Sequence, residues 1–532
     1  MPQRIQMIHG VPYVYEDSAT WDKEKKNATH ARHYIGKMVD GVFVPNKTYE
    51  LECALKESKD KKPGPQENTQ SIRQFCGATY LFDRIGEKLG ITEDLAKCFP
   101  DIYEQLLSLA YYLILEDKNP LRRFPKWAKT HHHHYSKNIP SQRSSELFGM
   151  ITEDAKQRFF LFQARRRLER EYLAYDTTSI SSYSELISQV RYGKNKDNEP
   201  LPQINLALLY RESSRLPVYY RKLAGNISDV TTIKRLLRDL SFLEIEKVKL
   251  ILDRGFYSEE NVNALYANHY KFLMGVKKSL KLVQEVLDEM RPSMHSRVHY
   301  SSEYGIYFYE RAIEWKYKAR KPRAQTLEIG SRRMYLHLYF DDQKAVDDRL
   351  AFNRLLDSLE EEVKSERRIP EHETLYQKYY DISATSVRGV VMTPREEAIE
   401  AVEKNYGYFA LISNDIKDPL EALALYRSRD ISEKAFNNLK ERLSMRRTSV
   451  SSEENLEGKL FVVFLGLIYL SSIDKAMHDA KLYKTYTLHD VLDELDIIEC
   501  YAHPGHRFRV GEITNKQRFL YEALGVEPPS LV

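Results

Sequence analysis

YRSRDISEKAFNNLK, residues 426–440, carries Tyr426, Arg429, Glu433 and Lys440. Asp430 followed three residues later by Glu433 has the form of a capping box, which predicts a helix starting here. At about 100° per residue, Glu433, Asn437 and Lys440 fall within roughly 60° of one another on such a helix. Phe436, Leu439 and Leu443 make a separate apolar stripe. One face can pack while the other holds a carboxylate and an ammonium over a site. Taken alone, the same stretch also reads as a surface helix with ordinary i, i+4 and i, i+7 charges.

Upstream segments supply partners for that carboxylate. EYLAYDTTSIS is a strand expected to end at Asp176. PQINLALLYR and RLPVYYRKLAGN are two more strands, and DVTTIKRLLRDLSFLE is a helix capped near Asp229. KVKLILDRGF is a strand ending at Asp253, SEENVNALYANH a helix, and YKFLMGVK a further strand. NYGYFALISN returns a strand to the same sheet, and Asp418-Pro419 starts the next helix. Three strands, a helix, a strand, a helix and a strand is the order of a ribonuclease-H-like core.

With all four positions of residues 426–440 in register, the chain resembles the DDE transposases of bacterial insertion sequences, in the group named for its Tyr-Arg-Glu-Lys motif. DTTS at the first aspartate, Gly225-Asn226 before the helix and DRGF at the second aspartate extend the likeness, from about Glu171 to Leu470. The resemblance implies an α/β (α+β) fold. A ribonuclease-H-like mixed sheet flanked by helices would be interrupted by a large inserted domain and preceded by a mainly helical region. It also implies that Asp176, Asp253 and Glu433 are catalytic metal ligands for two Mg²⁺ ions, with Mn²⁺ able to substitute. Tyr426, Arg429 and Lys440 would hold the DNA end. The implied partners are double-stranded DNA, as terminal inverted repeats and as target, and a second copy of the chain in the DNA complex. The implied location is the bacterial cytoplasm, at the nucleoid.

The chemistry fits such a triad. Phosphodiester cleavage and strand transfer place an attacking and a leaving oxygen in line at phosphorus, and two Mg²⁺ ions about 3.5–4 Å apart serve both. Mg²⁺ takes hard oxygen ligands and keeps water, so two or three carboxylates suffice, converging within about 4–8 Å. Arg429 can grip a phosphate with two N–H groups, and Lys440 offers a point charge.

Composition narrows the alternatives. The chain has 532 residues, net charge +4 and 30% charged residues, so DNA contact must come from local basic patches. Cys53, Cys76, Cys98 and Cys500 form no CxxC pair, which argues against a zinc site and for a reducing cytosol. No signal-peptide pattern is seen, and the apolar run Phe461–Leu470 is about half a bilayer span. It is expected to be a buried core helix, with no membrane partner.

The expected organisation is a strand-rich arm over 1–65, whose basic stretch around Trp21 reads equally as a DNA-contacting arm and as a solvated loop, and a helical DNA-end-binding domain over 66–170. The first part of the core spans 171–277, an insertion 278–404, the second part of the core with the glutamate helix 405–482, and a tail available for dimerisation 483–532. Two helix pairs, one turning at Gly90 and one from Ile139 to Glu171, are candidates for DNA reading. Arg165, Arg166, Arg167 and Arg170 are candidate phosphate contacts. His131–His134 are expected in an exposed loop. EWKYKARKPR is a basic patch centred on Trp315, a residue suited either to stacking on an unpaired base or to core packing. Two other functions compete: a nuclease on the same fold that does not transpose, and a DNA-binding protein that has lost catalysis. The complete acidic triad argues against the second.

Overall fold

The computed structural model describes residues 3–22, 27–60, 72–116, 120–166, 171–245, 248–320, 327–385, 389–448, 450, 452–502 and 509–530. The chain forms two compact units, residues 1–71 with 503–506, and 72–502 with 507–532. In the first, β1 (Gln3–Ile8), β2 (Val11–Asp22), β3 (Asn27–Val39) and β4 (Val42–Pro45) form an antiparallel meander followed by α1 (Lys47–Asp60). His9-Gly10 and Asp40-Gly41 turn two of its hairpins with φ positive at both residues, as two-residue hairpins favour. The basic stretch that reads as an arm or a loop is mostly strand β3, because it pairs with β2 along its length. The Trp21 side chain lies outside what is described.

The second unit starts with β5 (Ile72–Phe75) and six helices: α2 (Gly77–Leu89), α3 (Ile91–Cys98), α4 (Tyr103–Leu115), α5 (Phe124–Thr130), α6 (Ser141–Gly149) and α7 (Glu153–Arg165). Gly90 ends α2 and opens α3 in the left-handed region, where glycine carries no side-chain penalty. The two described arginines of the run stand in ion pairs. Arg166 pairs with the buried Asp94 and Arg165 with Glu244, while Arg167 and Arg170 lie outside the described residues. The histidine tract is not an exposed loop. Its backbone is extended at His131, so alternate side chains point inward. His131 stacks on Trp127 and hydrogen-bonds Asp496, and His133 is buried against Phe124 and Ser108.

The sheet follows. Its elements are β6 (Tyr172–Ser182), β7 (Gln203–Arg211), β8 (Pro217–Ala224), α8 (Asp229–Phe242), β9 (Lys249–Leu252), α9 (Glu259–Ala267) and β10 (Lys271–Val276). This is the expected alternation. The next segment holds α10 (Lys281–Met290), β11 (Tyr300–Ser301), β12 (Ile306–Arg320), β13 (Leu327–Phe340), α11 (Asp342–Lys364), α12 (Glu373–Tyr379), β14 (Tyr380–Thr385), β15 (Gly389–Pro394) and α13 (Glu396–Glu403). Then come β16 (Tyr408–Ser413), α14 (Pro419–Ser428), α15 (Asp430–Asn437) and β17 (Arg447–Thr448).

The large sheet runs β11-β12-β13-β16-β10-β9-β6-β7-β8, with β17 beside β6. β10, β9 and β6 are parallel, and β7, β8 and β16 join antiparallel. β6 and β7 are buried at every position, as strands covered on both faces must be. Residues 278–404 are therefore not a self-contained insertion. β12 and β13 extend the main sheet through β16, whereas α11–α13 with β14 and β15 gather their own small core around Phe352, Leu359 and Tyr376.

The chain closes with α16 (Glu453–Asp479), α17 (Leu488–Asp496), β18 (Glu499–Ala502), β19 (Arg509–Val510) and α18 (Asn515–Ala523). The apolar run at Phe461 is the middle of a 27-residue helix. By length and composition α16 could cross a membrane, but 78% of its most apolar window is buried. Phe461 and Phe464 pack on Phe159, Phe160 and Tyr220, so α16 ties the helical layer to β8. Residues 483–502 and 509–530 are no loose tail. β18 pairs with β5, and Tyr521 donates its hydroxyl to Gly77 O at 2.8 Å.

Candidate active site

The two aspartates meet through strand register. β6 and β9 pair in parallel from Tyr172–Lys249 to Tyr175–Leu252, so Asp176 and Asp253 are the next positions along. β9 leaves the sheet there, and Asp253 precedes a tight turn at Arg254–Phe256. β6 does not end at Asp176. It continues to Ser182, because β7 and then β17 still pair with it. Asp176 is thus a mid-strand residue, level with the point where its neighbour departs.

Glu433 arrives on a helix that begins earlier than its local sequence indicates. Asp418 caps α14, accepting from Leu420 N at 2.7 Å, with Pro419 in the first turn. Arg429 then joins α14 to α15 with helical backbone. The amides at Asp430 already follow a helical turn, so no capping box forms; Asp430 pairs with Lys434 at 3.2 Å instead. Past Asn437 the helix widens into a π turn, Asn438–Arg442, which carries Lys440.

Arg429 gathers the three acids. Its Nη1 lies 3.6 Å from Asp176 Oδ2 and 3.6 Å from Asp253 Oδ2, and its Nη2 lies 3.3 Å from Glu433 Oε1. The two aspartate oxygens are therefore at most twice 3.6 Å apart. Side-chain exposure is 10% for Asp176, 15% for Arg429 and 56% for Glu433, so the cluster runs from the sheet interior to solvent. Burial works against the Arg429 charge, but Asp253, Tyr426, Asp176 and Glu433 outweigh it and hold its pKa above the usual value. Burial pushes the Asp176 carboxyl up, against the pull of Lys196 and Arg429. Tyr426 donates to Asp253 Oδ1 at 2.8 Å, and burial beside that acid pushes its phenol up.

Lys440 is held by another acid. Its ammonium lies 2.7 Å from Asp197 Oδ2, on the β6–β7 loop. The same loop brings Glu199 to Arg446 and Arg447. It also places Lys196 beside Asp176 Oδ1, at 3.6 Å. The hydroxyls along β6 hold the loop: Asn195 Nδ2 donates to Ser181 Oγ and Lys196 N to Ser179 Oγ, each at 3.2 Å. Asp229 is no cap. It stands in the first turn of α8, accepts from Thr177 Oγ1 and pairs with Lys196 at 3.3 Å. KNKDNEP has the composition of a solvated turn, so nothing local marks Lys196, Asp197 or Glu199. The usable signal was the run of hydroxyls on a fully buried strand, each of which needs a partner.

Gly275, on β10, was also missed. A Cβ there would lie 2.5 Å from the Tyr426 hydroxyl and 3.1 Å from Arg254 N. Trp315 stands in a packing position. Its ring is half-buried at the edge of the main core, and Nε1 donates to Asn263 Oδ1 on α9 at 2.8 Å. The rest of its basic patch, from Lys318 to Arg323, lies outside the described side chains.

Among the described residues, no three acidic, histidine or cysteine side chains close on a single metal position. Asp176 and Asp253 nevertheless turn one oxygen each toward the same positive nitrogen. A pair of hard oxygens facing one cation is a donor set suited to Mg²⁺, which keeps water for its remaining positions.

No curated protein matches the chain in sequence. Among solved structures it is similar to a piggyBac transposase in a cryo-EM synaptic complex with hairpin DNA. That match has a TM-score of 0.32 and 11% identity, over 79% of this chain and 70% of that one. A family model described as "Transposase DDE domain" matches residues 167–469, the span that holds Asp176, Asp253, Arg429 and Glu433. The match covers more than half of the chain, and the protein belongs to the transposase DDE domain family.

Proposed function

We propose that the protein is an insertion-sequence transposase that binds terminal inverted repeats as a dimer, cuts at the element ends and joins the 3′-OH to target DNA. The observation that carries the reading is the guanidinium of Arg429 at ion-pair distance from Asp176, Asp253 and Glu433. The order β10-β9-β6-β7-β8, parallel then antiparallel, supports a ribonuclease-H-like core around it.

In this reading Asp176 and Asp253 hold divalent metal, Mg²⁺ or Mn²⁺, with Glu433 as the third acid. When bound, the metal supplies a stronger nucleophile and neutralises the leaving oxygen. The protein's own groups orient the acids. Tyr426 fixes Asp253 through its hydroxyl, and Arg429 offsets the repulsion among the three carboxylates. Lys440 locks the turn after Glu433 onto the β6–β7 loop. Arg446 and Arg447 line an open cleft with Lys440, Ser444, Glu199 and Glu441, and the two arginines pair with Glu199 across it.

The test is a duplex carrying the inverted repeats that flank the reading frame, with Mg²⁺ or Mn²⁺ present. Asp253→Asn should abolish cleavage and strand transfer while a gel shift still shows end binding. Cleavage without joined products would favour the nuclease reading. Loss of binding in step with cleavage, in a folded variant, would make Asp253 structural.

A further inference from the structure

Lys196 stands on the β6–β7 loop with its side chain 37% exposed, and three acceptors hold its ammonium. Its Nζ donates to Thr177 O at 2.6 Å and to Thr177 Oγ1 at 2.7 Å, and pairs with Asp229 Oδ2 at 3.3 Å. Its backbone amide is tied to Ser179 Oγ, and its neighbour Asn195 to Ser181 Oγ. An ammonium has three protons, and these three acceptors use them. The fixed charge that results stands 3.6 Å from Asp176 Oδ1. Arg429 stands 3.6 Å from the other oxygen, Oδ2. Asp176 is thus bracketed by one cation at each oxygen, and only one of the two comes from the glutamate helix.

We propose that Lys196 is a positioning residue for the reaction: anchored by Thr177 and Asp229, it fixes the rotation of the Asp176 carboxylate and limits how tightly that carboxylate binds a cation. It acts through Asp176 and does not itself grip DNA, because its protons are already committed. The proposal rests on the reading of Asp176 and Asp253 as metal-holding acids. Its physical content is a trade-off. A positive charge beside a carboxylate weakens binding of a second cation there. The same charge keeps the carboxylate aimed, and a misplacement of about 1 Å at a reacting centre can cost about a hundredfold in rate.

The test uses the full chain, supercoiled plasmid nicked in Mn²⁺, and calorimetric titration with Mn²⁺ alone. Lys196→Met keeps the apolar stem and removes the charge. It should bind Mn²⁺ about three- to tenfold more tightly while nicking at saturating Mn²⁺ falls about ten- to a hundredfold. Asp229→Asn, which frees the lysine, should move both readouts the same way by less, and it serves if Lys196→Met does not fold. Lys196→Arg should recover part of the rate. Weaker Mn²⁺ binding together with slower nicking would mean that Lys196 only supports the fold, and would overturn the proposal. So would a variant indistinguishable from the parent. If the parent protein neither bound Mn²⁺ nor nicked the plasmid, the metal-site reading would fall with it. A competent parent with an unaffected Lys196→Met variant removes the lysine's role alone.

Discussion

The Tyr426 hydroxyl meets Asp253 Oδ1 at 2.8 Å, and the phenol reaches that position over the missing side chain of Gly275. Gly275→Ala would put a methyl 2.5 Å from the Tyr426 oxygen, well inside van der Waals contact. The phenol must swing away, and the Asp253 carboxylate loses the Tyr426 hydroxyl as a donor. Mn²⁺-dependent plasmid nicking should fall about tenfold or more, equivalent to at least about 1.4 kcal/mol of barrier. Tyr426→Phe removes the bond without the clash and should lose less. Equal rates for Gly275→Ala and the parent protein would show that the bond is not used.

Arg429 balances three negative charges, so its loss should be felt first in stability. Arg429→Gln leaves Asp176 and Asp253 facing each other with Lys196 as the remaining close cation. We expect the variant to lose roughly 2–4 kcal/mol without metal, because an ion cluster missing one partner leaves buried charge uncompensated. Millimolar Mn²⁺ should restore much of it, through binding to the folded state alone. Denaturant unfolding with and without Mn²⁺ measures both. A deficit that Mn²⁺ leaves untouched would separate Arg429 from the acids.

Acid should loosen the fold through its buried histidines. Burial drives the pKa of His133 and of His337 down to about 4 and lowers that of His132, so these rings are neutral when folded. The unfolded chain takes up their protons as pH falls below about 6.5, so stability is lost from there down to about 4, at up to about 1.4 kcal/mol per pH unit for each fully shifted ring. His134 opposes the trend, because Asp83 outweighs burial and holds its pKa up. Urea midpoints should therefore fall between pH 7 and pH 5, and His133→Phe should flatten the slope.

Trp315→Ala should act on the fold more than on DNA. The ring packs at the core edge and bonds Asn263, so truncation should cost roughly 1–3 kcal/mol. Fluorescence of 2-aminopurine at a DNA end should be unchanged by the substitution. A clear change in that signal, with stability kept, would return Trp315 to the DNA interface.

The features legible in the sequence were those with a local cause. KLIL followed by Asp253, Arg254 and Gly255 shows a short apolar strand and its exit turn within a few residues. YLAYDTTSIS does not show that Asp176 is mid-strand, because its continuation depends on β7 and β17, remote in sequence. The Asp430–Glu433 pair resembled a helix start because a capping box is a local pattern, while the real start at Asp418 lay outside the window. RRMYLHLYF was legible as a strand, but its partner β16 was not. The histidine tract misled because composition says nothing about alternation in an extended chain, where His131 and His133 turn inward. Lys196 was invisible for the same reason: its meaning comes from Thr177 and Asp229, which lie in other elements.

β13 and β16 are antiparallel neighbours, with Phe340, where β13 ends, opposite Tyr408, where β16 begins. The chain therefore departs from the sheet and comes back to it at adjoining places, whatever lies between. That geometry makes the length of the excursion an almost free variable for evolution, since closing a longer loop adds only about 0.6 kcal/mol per doubling. Lineages could enlarge, trim or replace α11–α13 and the β14–β15 hairpin, and the returning strand would still hand over the glutamate helix at the same spot. Inheritance is then expected to conserve the seam where β13 meets β16 more strictly than the material hung from it.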